Sequence, residues 1–380
     1  MWMTIYSLIV CCYWMFLAVW LLINARRIKY VSAIPSDIIN LPSVRIIIAA
    51  RNEESALAEA LNSVRNLDYS NYKITVINDR STDGTGKILS AFTHNSDNLT
   101  AINIETLPAG WIGKNHALYV GASAATEEYL LFSDADVIYQ KDVLKRAIDY
   151  CLEHQLDHLA IFPGIISTSA ALNSVVMTFV IMLTAVQRPW AARNKKSKTS
   201  MGVGAFNLVT REMYLKAGTH SAIAMRPDDD LKLASLIKKA GGKGDVLYGG
   251  DSLKVEWYSS VKEFVNGLMK NLYSGFKYNP LLAVAGLLGT LLFFVLPVPL
   301  VLIFGNYIAK IFLVMTVLFQ AILYETLPGA RGKWSYAFLT TYAGIIIGYV
   351  IIKSTFLTLR NKGIHWRGTF YSLEELRRMK

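Results

Sequence analysis

Charge is scarce in this chain of 380 residues: Asp, Glu, Lys and Arg make up 18%, against 53% apolar residues and a mean hydropathy of +0.33. Soluble domains carry about 25% charged residues, so the shortfall excludes an ordinary soluble protein and a disordered chain and points to membrane-embedded segments. Cysteine is nearly missing too. Of the three, Cys11 and Cys12 lie in an apolar run and Cys151 stands alone, which excludes a disulfide framework and a cysteine-based zinc site. Acids are outnumbered, 28 against 39 bases, for a net charge of +11. In so apolar a chain that balance suits an anionic membrane surface and disfavours nucleic acid as the main partner.

What is present divides the chain. Met3 to Ile23 contains no charge and is followed by Arg26, Arg27 and Lys29. The run is long enough to cross a hydrocarbon layer of about 30 Å, and its trailing charges predict an uncleaved anchor over residues 1–25, ending in the cytoplasm. Residues 40–253 read as an α/β domain. Apolar, β-rich runs at 44–50, 73–79, 128–134 and 158–164 alternate with helical stretches such as 54–65 and 141–154, the pattern of a parallel sheet. Residues 254–280 carry Trp257, Val261, Phe264, Val265, Leu268, Leu272 and Phe276 near one helical face, with lysines beside them, and predict an interfacial helix. Over 281–357, Leu281 to Tyr324 holds only Lys310 as a charge and suits two crossings broken near Gly305 and Asn306; Trp334 to Ile352 suits one more. A basic tail, 358–380, belongs in the cytoplasm by the positive-inside rule. Three full crossings would put it outside, so either a helix near Pro297 and Pro299 is re-entrant or the charge rule fails.

The chemistry-bearing residues cluster after the predicted strands. Ser133-Asp134-Ala135-Asp136 closes an apolar strand, where open α/β sheets bind ligands, and two acids one residue apart can hold a hard divalent cation. The plain alternative is a solvated turn. Ala50-Arg51-Asn52-Glu53 ends the first strand, and Asp79 ends the second, followed by Arg80-Ser81-Thr82-Asp83. Asp79 is placed to contact a nucleoside; Asp83 is either a ligand contact or a helix cap. Lys114, in Gly113-Lys114-Asn115-His116, could reach a phosphate or hold its loop. Asp228-Asp229-Asp230 opens a helix, where a dipole alone would favour acids.

In order and spacing, the series AARNEE, NDRSTDGT, GWIGKNHAL, SDAD and Asp228-Asp229-Asp230 resembles membrane-bound family 2 glycosyltransferases, and the tail run from Gly363 to Tyr371, with Trp366 and Arg367, resembles the closing motif of bacterial members that glycosylate lipids such as carotenoids and hopanoids, or serves as a plain interfacial anchor. The resemblance implies a GT-A (Rossmann-like) catalytic domain with one N-terminal and about three C-terminal membrane helices. It implies that Ala50, Arg51, Asn52, Glu53, Asp79, Asp83, Lys114, Asp134 and Ala135 bind the donor, and that Asp134 and Asp136 hold Mg²⁺ or Mn²⁺ against its diphosphate. The family's Glu-Asp-x-x-Leu, with a glycine eleven residues after the Asp, aligns on Asp229 and Asp230, then Leu233 and Gly241. Asp230 thereby takes the base position. Acceptor contacts are expected from Trp111, Gly204, Ala205, Phe206, Lys270, Trp366 and Arg367. Polymer-extruding relatives carry Gln-x-x-Arg-Trp near residue 270, and this chain has none there.

The combined expectation is an inverting, metal-dependent, non-processive transfer from a nucleotide sugar, taken as a UDP-sugar, to a lipid at the cytoplasmic face of the inner membrane, by a multi-pass protein with no obligate protein partner. A polysaccharide synthase, a polyprenyl-phosphate transferase and a catalytically degenerate membrane scaffold are the alternatives.

Overall fold

The computed structural model describes the chain except residues 95, 97, 166, 168, 331, 367, 368, 379 and 380, with 270, 271, 365, 366 and 378 described by backbone alone. Its strands are β1 (Val44–Ala50), β2 (Tyr72–Asp79), β3 (Leu99–Ile104), β4 (Tyr129–Ser133), β5 (Val137–Tyr139), β6 (His158–Ile165), β7 (Asn207–Thr210) and β8 (Gly244–Val255). Among the described residues they form one eight-stranded sheet in the order β3-β2-β1-β4-β7-β6-β8-β5. The first three runs expected from sequence are thus β1, β2 and β4, and the fourth is β6. Ile46, Ile47 and Ile48 of β1 are all buried, as expected of a central strand covered by helices on both faces.

Register positions the site. β3, β2, β1 and β4 run parallel, with Ala50 opposite Asn78 and Ile48 opposite Ser133. Their carboxyl ends therefore reach one edge together. β7 runs against β4, with Asn207 opposite Phe132, so the start of β7 and its leading loop meet the same edge. This is the mixed α/β arrangement of a GT-A fold.

Helices Trp2–Ala25, Tyr307–Thr326 and the segment Trp334–Arg360 are long and apolar enough to cross a membrane, and so is Ala170–Ala191. Pro280–Val295 and Pro297–Phe304 make a further pair bent by 50°, at prolines that cannot donate a helical hydrogen bond. The turn before the bend, Leu291–Val295, is a π-helix. Two of its carbonyls are met by aromatic donors from the first helix: Tyr6 OH donates to Leu292 O (2.7 Å) and Trp14 Nε1 to Phe293 O (3.0 Å). In hydrocarbon, where no water is available, such partners decide whether an irregular turn is tolerated. Helix Val261–Gly275 starts at Ser260, whose hydroxyl accepts from Glu263 N, and buries Phe264 against the last membrane helix. A hairpin, β9 (Gly363–Trp366) and β10 (Thr369–Ser372), follows that helix.

Candidate active site

The parallel strand ends enclose a cavity of about 240 Å³ lined by Ala49, Ala50, Arg51, Glu53, Asp79, Gly113, Lys114, Asp134, Ala135, Asp136, Trp257 and Tyr371. Of the donor residues expected from sequence, Ala50, Arg51, Glu53, Asp79, Lys114, Asp134 and Ala135 are brought together here, along with Asp136. Asn52 and Asp83 are not among the residues lining the cavity. Asn52 takes a left-handed backbone (φ 56°) and accepts from Thr82 N at 2.8 Å. Asp83 accepts from Thr85 N (3.0 Å) and Glu54 N (3.2 Å), so its carboxylate ties the loops after β1 and β2 to each other.

Asp79 is 3% exposed and doubly engaged by Arg80, Nε to Oδ1 at 2.7 Å and Nη2 to Oδ2 at 3.0 Å, with Arg51 Nη1 at 3.7 Å. Two cations thus hold a buried charge that would otherwise be costly. The helix carrying Lys114 begins beside this pair. A Cβ on Gly113 would lie 2.3 Å from Asp79 Oδ2, so only glycine allows that approach.

Lys114 joins the strand end to the acidic helix. Its Nζ is 2.7 Å from Asp134 Oδ1 and 3.7 Å from Asp229 Oδ2. Burial alone would lower its pKa; the charges of Asp134, Asp229 and Asp230 more than reverse this and hold it protonated. Asp134 N donates to Gly204 O (3.0 Å), and Gly204 N donates to Asp230 Oδ2 (3.0 Å). A Cβ at Gly204 would sit 2.6 Å from Asp134 Oδ2. The loop before β7 is therefore threaded between the two acids. Asp230 Oδ1 also accepts from Leu231 N (2.8 Å). Burial, then the charge of Asp229, pushes the Asp230 carboxyl up to about 7. Asp228 turns away into a two-point pair with Arg226, both contacts at 2.9 Å. Asn115 Nδ2 fixes the approach to these acids by donating to the carbonyls of Ile223, Ala224 and Arg226.

Asp136 is pushed up to about 7, first by burial and then by the charges of Asp134 and Glu53. A divalent cation beside these carboxylates would relieve that crowding. No group of three or more His, Cys, Asp or Glu side chains is set to enclose a metal among the described residues. The donor set fits a Mg²⁺ or Mn²⁺ ion held by one or two carboxylates, with the remaining positions left to phosphate and water.

The acceptor residues expected from sequence are less gathered. Ala205 and Phe206 are buried behind Gly204, and Trp111 packs on His116 and Tyr119, away from the cavity lining. Arg367 lies outside the described residues, and so do the side chains of Lys270 and Trp366. Arg80 is a site residue beyond those expected, although its place directly after a strand-ending acid is a usable signal. Trp257 and Tyr371 arrive from the interfacial and tail segments by packing, which spacing along the chain cannot reveal.

Residues 45–217 match the family described as Glycosyl transferase family 2. The chain is 27% identical over 186 residues to a 4,4'-diaponeurosporenoate glycosyltransferase of Staphylococcus aureus, and 26% identical over the same length to that of another strain. Each match covers 48% of both proteins, so the chain spans about half the length of the curated relatives it matches. In fold it resembles a mannosyltransferase of Pyrobaculum calidifontis solved with GDP-Man and Mn2+, with a TM-score of 0.57 at 16% identity, covering 92% of this chain and 98% of that one.

Proposed function

We propose, on the match of residues 45–217 to the family described as Glycosyl transferase family 2, that the protein transfers a sugar, with inversion, from a nucleotide sugar to a lipid at the cytoplasmic face of the membrane. The donor in this reading is a UDP-sugar, with Asp79 and the strand-end loops around its nucleoside and Lys114 near its diphosphate. Asp230 takes the proton from the acceptor hydroxyl as that oxygen attacks the anomeric carbon, opposite the departing diphosphate. A carboxylate acceptor would need no such step. Mg²⁺ or Mn²⁺, held through Asp134 and Asp136, would supply charge neutralisation for the leaving group. Arg51 and Arg80 orient Asp79, and Gly204 N aims Asp230.

The observation that carries this reading is the continuous chain Asp134, Gly204, Asp230, bridged by Lys114, which joins the DxD strand end to the acidic helix. Apolar helices beside the domain support a lipid acceptor, as does the relatives' name, which specifies a long-chain acid. Segments 1–25 and 281–357 would be the anchors and 254–280 the interfacial helix, with the domain spanning 40–253 and the tail 358–380 on the same side. A processive synthase would line a sugar path with polar residues along packed helices. Lys310 and Glu325 are the charged residues of Tyr307–Thr326, one near each end.

Incubation of membranes holding the protein with radiolabelled UDP-sugar tests this directly. Label should enter organic-extractable lipid. Label accumulating as long, lipid-free polymer would transfer support to a synthase, and no label in either fraction from any UDP- or GDP-sugar would leave only a scaffold.

A further inference from the structure

Helix Ala170–Gln187 lies inside the α/β domain yet has the hydropathy of a span, 1.8, and 39% of its apolar window is buried, the same share as in Trp2–Ala25. Its remaining apolar surface is half-buried, with Phe179, Val180 and Met182 packed against their neighbours and Val186 alone standing largely exposed, where Trp2–Ala25 leaves eight large apolar side chains exposed. Connectivity forbids a crossing. The helix follows β6 and precedes β7, and those strands pair directly, His158 opposite Val209 and Ala160 opposite Asn207. One passage through a bilayer would place hydrogen-bonded partners on opposite sides. Nor is there a second passage, since the return over 188–206 contains only the short turn Pro189–Ala191, and non-helical backbone leaves its polar groups unpaired in hydrocarbon.

The helix enters and leaves on the domain's own side, pressed against the membrane bundle. Met177 and Ile181 pack with Trp14, Leu17 and Leu21. Thr178 Oγ1 lies 2.6 Å from Tyr324 OH, and Trp190 meets Trp20 edge-on at 5.2 Å. Val186, near its end, is 74% exposed. Exposed Lys195, Lys196 and Lys198 follow at once, with no acid between Gln187 and Gly202. Lys238 Nζ pins this stretch by donating to Ala192 O (2.8 Å) and Asn194 O (3.0 Å). The stretch then runs straight into the loop that holds Gly204 between Asp134 and Asp230.

We infer that residues 170–198 are a bilayer-immersed ledge of the catalytic domain. The helix sits in the apolar layer without spanning it, and Lys195, Lys196 and Lys198 bind anionic phospholipid headgroups. The Gly204 loop is thereby held at headgroup depth. The immersion stands apart from the proposed chemistry; its bearing on the acceptor rests on the lipid-acceptor reading.

Two measurements on the full chain in vesicles test it without reading transfer. Val186→Cys and Ser90→Cys are exposed to a membrane-impermeant maleimide and counted over the wild-type background. Ser90→Cys should label readily, and Val186→Cys only after denaturing detergent is added; equal labelling rates overturn the immersion. Next, association of spin-labelled phosphatidylglycerol is compared with that of phosphatidylcholine. A lysine at an anionic surface is worth roughly fivefold, so the combined Lys195→Gln, Lys196→Gln and Lys198→Gln variant should lose roughly tenfold or more of the phosphatidylglycerol preference. An unchanged preference overturns the headgroup assignment. Both results hold or fail whether or not sugar is transferred.

Discussion

An Asp230→Asn substitution removes a charge while keeping the volume of the side chain. The carboxylate accepts two backbone donors, Gly204 N on Oδ2 at 3.0 Å and Leu231 N on Oδ1 at 2.8 Å. An amide has one acceptor oxygen, so one of those N–H groups must face an NH₂, which costs about 1–3 kcal/mol. That cost appears as a lower thermal midpoint. The chemical loss is separate and larger. Removing a general base slows turnover by about 10² to 10⁴, equivalent to about 3–5 kcal/mol in the transition state. Nucleotide release should therefore show kcat reduced by at least about 10², with donor affinity measured by calorimetry nearly unchanged. In the wild type, the Asp230 carboxyl of the free protein is pushed up to about 7 and must lose its proton before it can act, so kcat/KM should rise with pH through about 7 and level off above it. If Asp229→Asn is inactive while Asp230→Asn turns over almost normally, the assignment is one residue out and the reasoning fails.

Asp136→Ala should abolish both transfer and the metal-dependent part of donor binding, and full activity in excess chelator would refute the role of the pair. Lys114→Met leaves Asp134 and Asp229 facing each other without the ammonium between them; breaking a buried ion pair costs about 3–5 kcal/mol, and partial exposure of Lys114 favours the lower end. Its thermal midpoint should fall well below that of Lys114→Arg, and equal midpoints would show that the bridge contributes nothing. Burial pushes His158 and His220 down, to about 4 and about 3. The folded state therefore binds fewer protons than the unfolded one below the ordinary histidine value of about 6.5. Stability should be lost as pH falls from about 6.5 toward those values, and His220→Gln should flatten that decline; a parallel decline in the variant would assign it to other groups.

The donor side was legible because its residues follow from local rules. β1, β2 and β4 are short apolar runs whose next polar residues must emerge at a sheet edge, and Asp79, Asp134 and Asp136 emerge there. Lys114 was legible as a cation near that edge, but its partners were not, since the acidic helix lies about a hundred residues further along the chain. Asp83 satisfied two local readings equally, and the contacts of its two oxygens with Thr85 N and Glu54 N become visible only when the loops are placed. Helix Ala170–Gln187 belongs to a segment whose hydropathy of 1.8 matches that of the expected spans, but it lies between two strands of the α/β domain, and only their pairing separates a packed apolar helix from a crossing. Trp257 reaches the cavity while packed on Phe179, and Tyr371 while clustered with the last membrane helix, contacts for which no periodicity in the sequence is a signal.

The reversed direction of β7 has a further consequence. Every wall the cavity takes from β1, β2 and β4 belongs to a continuous stretch of chain ending at Asp136, whereas the opposing loop at Gly204 arrives only after the long excursion between β6 and β7. The Asp134 strand end and the Gly204 loop are thus written in separate blocks of sequence that meet along the pairing of β4 with β7, where Phe132 stands opposite Asn207. Substitutions in the excursion therefore act on the Gly204 loop while leaving the block that ends at Asp136 unaltered.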